Sequence, residues 1–308
     1  MIIHQGYDHL ELKEPVVTIG TFDGVHRGHR YLLGRLTEKA HECGGQSVVI
    51  TFDPHPRMVV EKERGEIFFL STLTEKIKLL EAAGIDHLVI INFTPGFSRL
   101  KACDFVNDIL IKKIGTKHLV IGHDHRFGSG GEGNADTIQE CAGRAGIEIL
   151  QVPGLDIDGR IVSSSLIRGF LLSGEPEKAD LMLGYTYSLK GTIVSGKKIG
   201  RDIGFPTANI SVDDPMKLIP ANGVYAVEVK KGGAVYKGML NIGINPTVSG
   251  EASRSIEVNI FDFSETIYGD EIEVFIRFWL RHEKKFGSLD ELISQLHNDR
   301  EKAMKLLS

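Results

Sequence analysis

What is scarce in this sequence narrows its class first. Three cysteines, Cys43, Cys103 and Cys141, are odd in number and widely spaced, a pattern that fits neither a disulfide framework nor a zinc site. They read as ordinary thiols of a reducing compartment. No apolar run approaches the ~18 residues of a membrane helix, and the opening MIIHQGYDHLELKE has no apolar core of signal-peptide length. The expectation is a cytoplasmic protein without a membrane partner. Positive charge is not in excess either: 36 Lys and Arg against 41 Asp and Glu give a net charge of −5. Nonspecific nucleic-acid binding draws on clustered cations, so no nucleic-acid partner is expected.

What is present is the composition of a globular protein, 42% hydrophobic and 25% charged over 308 residues, enough for one large domain or two ordinary ones. Up to residue 184 the chain alternates short apolar runs (16–19, 47–52, 86–93, 117–121, 147–152) with helical patterns. Thr72 to Glu75 reads as a capping box for one of those helices. This alternation predicts an α/β, Rossmann-like domain with a five-stranded, largely parallel sheet, whose ligands bind beyond the carboxyl ends of the strands.

The chemistry-bearing residues fall at those ends. In GTFDGVHRGH (20–29) a buried strand stops at Gly20 and re-emerges as a helix, whose first N–H groups are free to bind phosphate. His26 and His29, three apart, share a face there. The second strand ends in TFDPHP, which presents His55, and the fourth in GHDHRFGSGGEGN (122–134), a glycine-rich loop with Asp124, His125 and Arg126. Next, VSSSLIRGFLLSGE sets Ser163, Ser164 and Ser165 before a helix carrying Arg168. Each piece alone reads as a turn, a cap or a surface histidine; together they recur on one sheet edge. A metal site built from His26, His29, His55, His123 and His125 is the rival, disfavoured because the adjacent carboxylates sit in turn-forming positions and no HExxH-type signature is present.

After a short charged helical segment (174–184) the grammar changes. Six β-rich runs (188–195, 208–211, 224–229, 235–242, 255–261, 271–280), separated by Gly, Pro and Asn, imply an all-β sandwich or barrel. A final helix begins at a second capping box, Ser288 to Glu291. GTIVSGKK (191–198) nearly spells a P-loop, but Lys198 stands where a hydroxyl is required and no helix follows. In GRDIGFPTANI (200–210), Pro206 fixes a turn that presents Thr207 and Asn209, and Thr207 offers an oxygen suited to Mg²⁺.

Taken in order, GTFDGVHRGH, TFDPHP, GHDHRFG and SSSLIR resemble the motifs of the adenylyltransferase half of prokaryotic-type bifunctional riboflavin kinase/FAD synthetases. PTAN, with LIPANGVYAV, GMLNIGINPT and IEVNIFDF, resembles the riboflavin kinase half. The resemblance implies a nucleotidyltransferase domain over 1–183 and a riboflavin kinase barrel with a C-terminal helix over 184–308. The substrates it implies are ATP, riboflavin and FMN, with Mg²⁺ held by Thr207 and Asn209 and FAD as the final product. By position, His26 and His29 would contact the ATP phosphates, and Arg168 with Ser164 and Ser165 would clamp them. Substrate binding would further involve Gly20, Phe22, Asp23, Gly24, His55, Asp124 and Phe127, and in the barrel Gly200, Gly204, Pro206 and Asn209. Glu257 matches the general base of the kinase. Three departures accompany the match: no arginine in 129–133, Ser165 for a usual threonine, and Asn259 for a usual histidine. Trp279, Arg281 and Phe286 lie near the flavin-side segment, with core packing expected for the aromatics. An adenylyltransferase whose barrel binds flavin without turnover, and a non-catalytic flavin carrier, are the alternatives.

Overall fold

The computed structural model describes residues 1–60, 67–123, 125–142, 146–196, 200, 203–246 and 252–308. They form two compact units, Met1–Ser164 and Ser165–Ser308.

In the first unit β1 (Ile2–Gln5), β2 (Pro15–Ile19), β3 (Gln46–Asp53), β4 (His87–Asn92), β5 (His118–Gly122) and β6 (Glu148–Val152) pair in parallel in the order β1-β4-β3-β2-β5-β6. The sheet therefore has six strands rather than five. The unforeseen β1 is an edge strand with little burial, so its sequence IIHQ carries no buried-strand signal. Strand alternation divides the core. Val17, Val48, Ile50, Leu119 and Ile121 face one side, with Phe105, Leu110 and Ile138. Val16, Val49, Leu88, Ile90 and Val120 face the other, with Leu33 and Leu36 of α1 (Arg27–Glu42). The chain reverses its direction of progress at β2, between β3 and β5, the switch point at which such sheets bind ligands.

The remaining helices of this unit are α2 (Pro56–Val60), α3 (Leu73–Ala82), α4 (Ala102–Asp104), which continues in wider π-type turns over Phe105–Ile114, and α5 (Ala135–Ala142). A small hairpin of β7 (Asp156–Ile157) and β8 (Arg160–Ile161) follows β6. The capping box of α3 is complete: Thr72 Oγ1 accepts from Glu75 N–H at 3.2 Å and Glu75 Oε2 from Thr72 N–H at 2.9 Å. The cysteines require a correction. Cys103 and Cys141 form a disulfide, with Cα atoms 5.4 Å apart, and only Cys43 is free. The partners lie 38 residues apart, and packing of α5 beside α4, invisible in the spacing, brings them together.

Helix α6 (Ser164–Leu172) begins at the division between the units, and the second unit continues with α7 (Pro176–Leu183). Six antiparallel strands, β9 (Ser188–Val194), β10 (Ala208–Val212), β11 (Gly223–Lys231), β12 (Ala234–Pro246), β13 (Ala252–Ile260) and β14 (Glu271–Arg281), then close a barrel in the order β10-β13-β12-β11-β14-β9. Closure leaves no unpaired edge. Tyr187 and Tyr225 are fully buried and bond their hydroxyls to the carbonyls of Leu218 (2.7 Å) and Ala221 (2.6 Å), so each aromatic body adds apolar area without stranding its polar tip. The terminal helix α8 (Leu289–Leu306) packs Ala303 and Leu296 against Val224, Met239 and Leu280. Its cap differs from the expected box: Ser288 Oγ accepts from Glu291 N–H, but the Glu291 carboxylate reaches past Ser288 to Gly287 N–H at 3.1 Å.

Candidate functional site

In the first unit the turn after β2 is held in an unusual backbone. Phe22 (φ 48°), Gly24 (φ 76°) and Val25 (φ 36°) all lie in the left-handed region, which for a phenylalanine and a β-branched valine costs on the order of 1–3 kcal/mol each. Several bonds offset that strain. Asp23, 2% exposed, accepts from the N–H groups of Leu70 (2.9 Å) and Ser71 (3.1 Å) through Oδ1. Gly24 N–H donates to Ser71 Oγ at 2.9 Å, and Ser164 Oγ donates to the Asp23 carbonyl at 3.0 Å. Gly20 admits the Phe22 ring, which would lie 3.1 Å from an added Cβ.

This turn delivers the two histidines. His26 caps α1, its Nδ1 accepting from His29 N–H at 3.2 Å, which leaves the proton of the neutral ring on Nε2. The rings stack at 3.6 Å, and the Phe22 edge meets His29 at 5.1 Å. Burial first, then His26 and the ammonium of Lys76, hold the His29 pKa well below 6.5. His29 is therefore uncharged at neutral pH and offers a hydrogen bond rather than a charge. Its Nδ1 is enclosed without a hydrogen-bond partner among the described residues.

The other expected residues of this unit are distributed as follows. His55 stacks on Phe69 at 4.3 Å and its Nδ1 accepts from Arg57 N–H. Phe127 pairs with Gly133 through two backbone bonds and packs on Phe105 at 5.9 Å, and Ser129 N–H donates to the Leu100 carbonyl. Gly128 (φ 76°) approaches Ala102 so closely that a Cβ would lie 2.9 Å from its backbone. Asp124 lies outside the described residues, as do Lys198 and Thr247. In α6, Arg168 donates to Ser165 Oγ at 3.2 Å. No group of three or more His, Cys, Asp and Glu among the described residues is arranged to hold a metal ion.

In this unit one residue escaped sequence reasoning. Lys76, one turn into α3, is only 5% exposed. Burial lowers its pKa, while Asp23 and Asp53 oppose the shift. The signal available was its place on the buried stripe of α3 with Leu80, where a lysine is out of pattern.

In the barrel the register assembles a second site. Glu257 on β13 lies opposite Asn209 on β10 and Asn241 on β12, so one rung carries a carboxylate between two amides. Asn241, whose side chain faces this rung, was not singled out from the sequence. Thr207 Oγ1 donates to Glu257 Oε2 at 3.1 Å. Asn259, 5% exposed, donates Nδ2–H to the Pro206 carbonyl at 2.7 Å and so fixes the turn that presents Thr207. Gly204 (φ 81°) and a 2.8 Å bond from Phe205 N–H to the Gly200 carbonyl shape the loop, and Phe205 anchors it edge-on to His297 of α8 at 5.0 Å.

Two cavities flank this rung. One of about 280 Å³ is lined by Thr207, Asn241, Glu257, Asn259, Arg281 and Phe286 among others. Arg281 is held there by both carboxylate oxygens of Asp299, at 2.8 to 3.1 Å, and its guanidinium lies 5.7 Å from the Phe286 ring centre. Phe286 therefore borders a cavity rather than filling the core. Trp279 is half-buried, and a Cβ at Gly223 would lie 2.3 Å from its ring. The other cavity, about 320 Å³, is lined by Thr207, Val258, Ile260, Phe263 and Tyr268 among others. Residues 257 and 258 point to opposite faces of β13, and Thr207 borders both spaces.

The donor set suits a hard cation. Thr207 and Asn209 present neutral oxygens, the hard ligands Mg²⁺ takes from a protein when substrate phosphates complete most of its shell.

Comparison with known proteins follows the same division. Residues 8–166 match the family model of FAD synthetase, and residues 183–307 that of riboflavin kinase. The chain is 39% identical over 285 residues to the bifunctional riboflavin kinase/FMN adenylyltransferase of Listeria monocytogenes, covering 92% of this chain and 90% of that protein. To the protein of that name from Bacillus subtilis it is 35% identical over 313 residues, covering 99% and 98%. Among solved structures, one described as a macrolide-efflux protein from Streptococcus pneumoniae superposes with a TM-score of 0.88 at 30% identity, covering 99% of each chain. Among the described residues of this chain no helix is long and apolar enough to cross a membrane.

Proposed function

Because the chain belongs to the bifunctional riboflavin kinase/FMN adenylyltransferase family, we propose that its two reactions divide between the barrel rung at Glu257 and the histidine turn after β2. The enzyme phosphorylates riboflavin with ATP to give FMN, then adenylylates FMN with a second ATP to give FAD and pyrophosphate. We divide the functions at 183/184, with helices α6 and α7 belonging to the adenylyltransferase segment.

In the kinase, Glu257 takes the proton of the ribityl 5′-hydroxyl as that oxygen attacks the γ-phosphorus of ATP, and ADP leaves with the bond electrons. The observation that carries this reading is the 3.1 Å bond between Thr207 and Glu257 at the meeting of two cavities. Riboflavin occupies the cavity with Glu257, Arg281 and Phe286, and ATP the one bordered by Phe263 and Tyr268. Thr207 and Asn209 hold Mg²⁺, which when bound neutralises phosphate charge. Thr207 donates its proton to Glu257 and keeps its lone pairs free for the cation. Gly200, Gly204 and Pro206 shape the loop over ATP.

In the adenylyltransferase, a phosphate oxygen of FMN attacks the α-phosphorus of ATP and pyrophosphate departs. The attacker is already anionic, so no base is needed and the task is electrostatic. His26 and His29 donate to the phosphates at the N-terminus of α1, and Arg168, Ser164 and Ser165 are assigned further phosphate contacts by motif. Gly20, Phe22, Asp23 and Gly24 form the turn that the ligand approaches. His55, Asp124 and Phe127 are assigned to flavin and nucleotide binding by motif. We assign both reactions to the cytoplasm, where ATP and Mg²⁺ are supplied.

The test is a time course of purified protein with riboflavin, ATP and Mg²⁺, the three flavins being separated by chromatography. FMN appearing first and FAD following is the expected result. FAD from added FMN with none from riboflavin would reduce the barrel to a binding module.

A further inference from the structure

Lys76 is the buried charge that neither reaction above uses. Its side chain is 5% exposed and projects from the inner face of α3. A lysine ammonium carries three donors, and protein interiors rarely bury a charge without giving it a partner. Its electrostatic neighbours are Asp23, Asp53 and His29. Asp23 already accepts from two backbone N–H groups through Oδ1. The start of α3 is also bound to the histidine turn, since Leu70 and Ser71, just ahead of the Thr72 cap, bond to Asp23 and Gly24. Lys76 is thus fixed, one helical turn further on, relative to His26 and His29.

We propose that Lys76 binds the polyphosphate of ATP in the adenylyl-transfer reaction and supplies a full positive charge beside His26 and His29. The inference rests on the placing of the triphosphate at those histidines. As the FMN oxygen bonds to the α-phosphorus, the bond from that phosphorus to the β-bridging oxygen breaks. The electron pair stays on pyrophosphate, whose charge rises by one. A neutral imidazole meets that charge only with an N–H dipole, whereas a desolvated ammonium meets it with a whole charge, in an environment where such an interaction is weakly screened. The same ammonium adds to burial and to His26 in holding the His29 pKa down.

The experiment uses the full chain and compares Lys76→Met, Lys76→Arg and His29→Ala. FAD formation from FMN, inhibition of that reaction by added pyrophosphate, and FMN formation from riboflavin are measured in each. Lys76→Met is expected to lose roughly 10²- to 10³-fold in FAD formation, with pyrophosphate inhibition weakened about tenfold. Lys76→Arg should keep most of both, and FMN formation should stay at the wild-type level in all three, reporting an intact fold. FAD formation within about threefold of wild type in Lys76→Met would overturn the proposal. Equal losses in Lys76→Met and Lys76→Arg, with pyrophosphate inhibition unchanged, would do so too, because packing and not charge would then be the cause. Undiminished FAD formation in His29→Ala would instead overturn the placing of the triphosphate, whereas its loss there beside a normal Lys76→Met overturns the role of Lys76 alone.

Discussion

Thr207 and Glu257 are joined by a 3.1 Å hydrogen bond between the loop preceding β10 and the middle of β13, fifty positions apart in sequence. Glu257→Gln preserves an acceptor for the threonine while removing the base. FMN formation should fall about 10²- to 10⁴-fold, and FAD formation from supplied FMN should persist. Normal kinase turnover in this variant, measured with riboflavin and ATP, would remove Glu257 from the chemistry.

The histidine pair gives the converse. His29→Ala should depress FAD formation by roughly 10²- to 10³-fold and spare FMN formation. Because the His29 pKa lies well below 6.5, the ring stays neutral as pH falls from 8 to 6.5, and the rate of FAD formation should show no imidazole inflection there. The sign for stability follows. Below 6.5 the unfolded chain takes a proton that the folded ring refuses, so this group lowers stability as pH falls. A pH–rate profile and acid titration of wild type against His29→Ala measure both.

Asp180 on α7 makes the opposite contribution. Burial raises its pKa from 3.8 to about 7, against the pull of the Tyr187 N–H at 2.8 Å and of Arg277. Between those pH values the folded state binds a proton that the unfolded state has released, so stability from this group is present at low pH and lost as pH rises through about 7. Asp180→Asn keeps an acceptor for Tyr187 and should raise the melting temperature at pH 8 more than at pH 5. An equal shift at both would contradict the assignment.

The Cys103–Cys141 disulfide spans 38 residues, and its reduction should cost the first unit on the order of 2–4 kcal/mol. Urea midpoints with and without reductant provide the comparison, and mapping of unreduced peptides should find Cys43 alone alkylated.

How much of this was legible in the sequence depended on range. Short apolar runs gave five of the sheet strands, because Val17, Val48 and Leu119 announce burial by composition, and β-rich runs between Gly, Pro and Asn gave all six of the barrel. Strand β1 did not, since an edge strand has no second neighbour to bury it. His26 and His29 were readable because three residues and a cap fix their relation locally. Asn241, Lys76 and the disulfide were not, as each depends on register or on packing between distant segments. Asn259 was noticed as a departure. Its bond to Pro206 shows why an amide serves: the position needs a donor to a carbonyl.

The bond from Ser164 Oγ to the Asp23 carbonyl joins positions 141 residues apart. A ribosome adding 5–20 residues per second reaches Ser164 roughly 7 to 30 s after Asp23. The histidine turn is thus begun by nearly the first residues made and fastened by the last residue of its unit. Its geometry is complete only once translation has passed through the whole sheet, so a nascent chain stalled anywhere before Ser164 carries both histidines without the fastening.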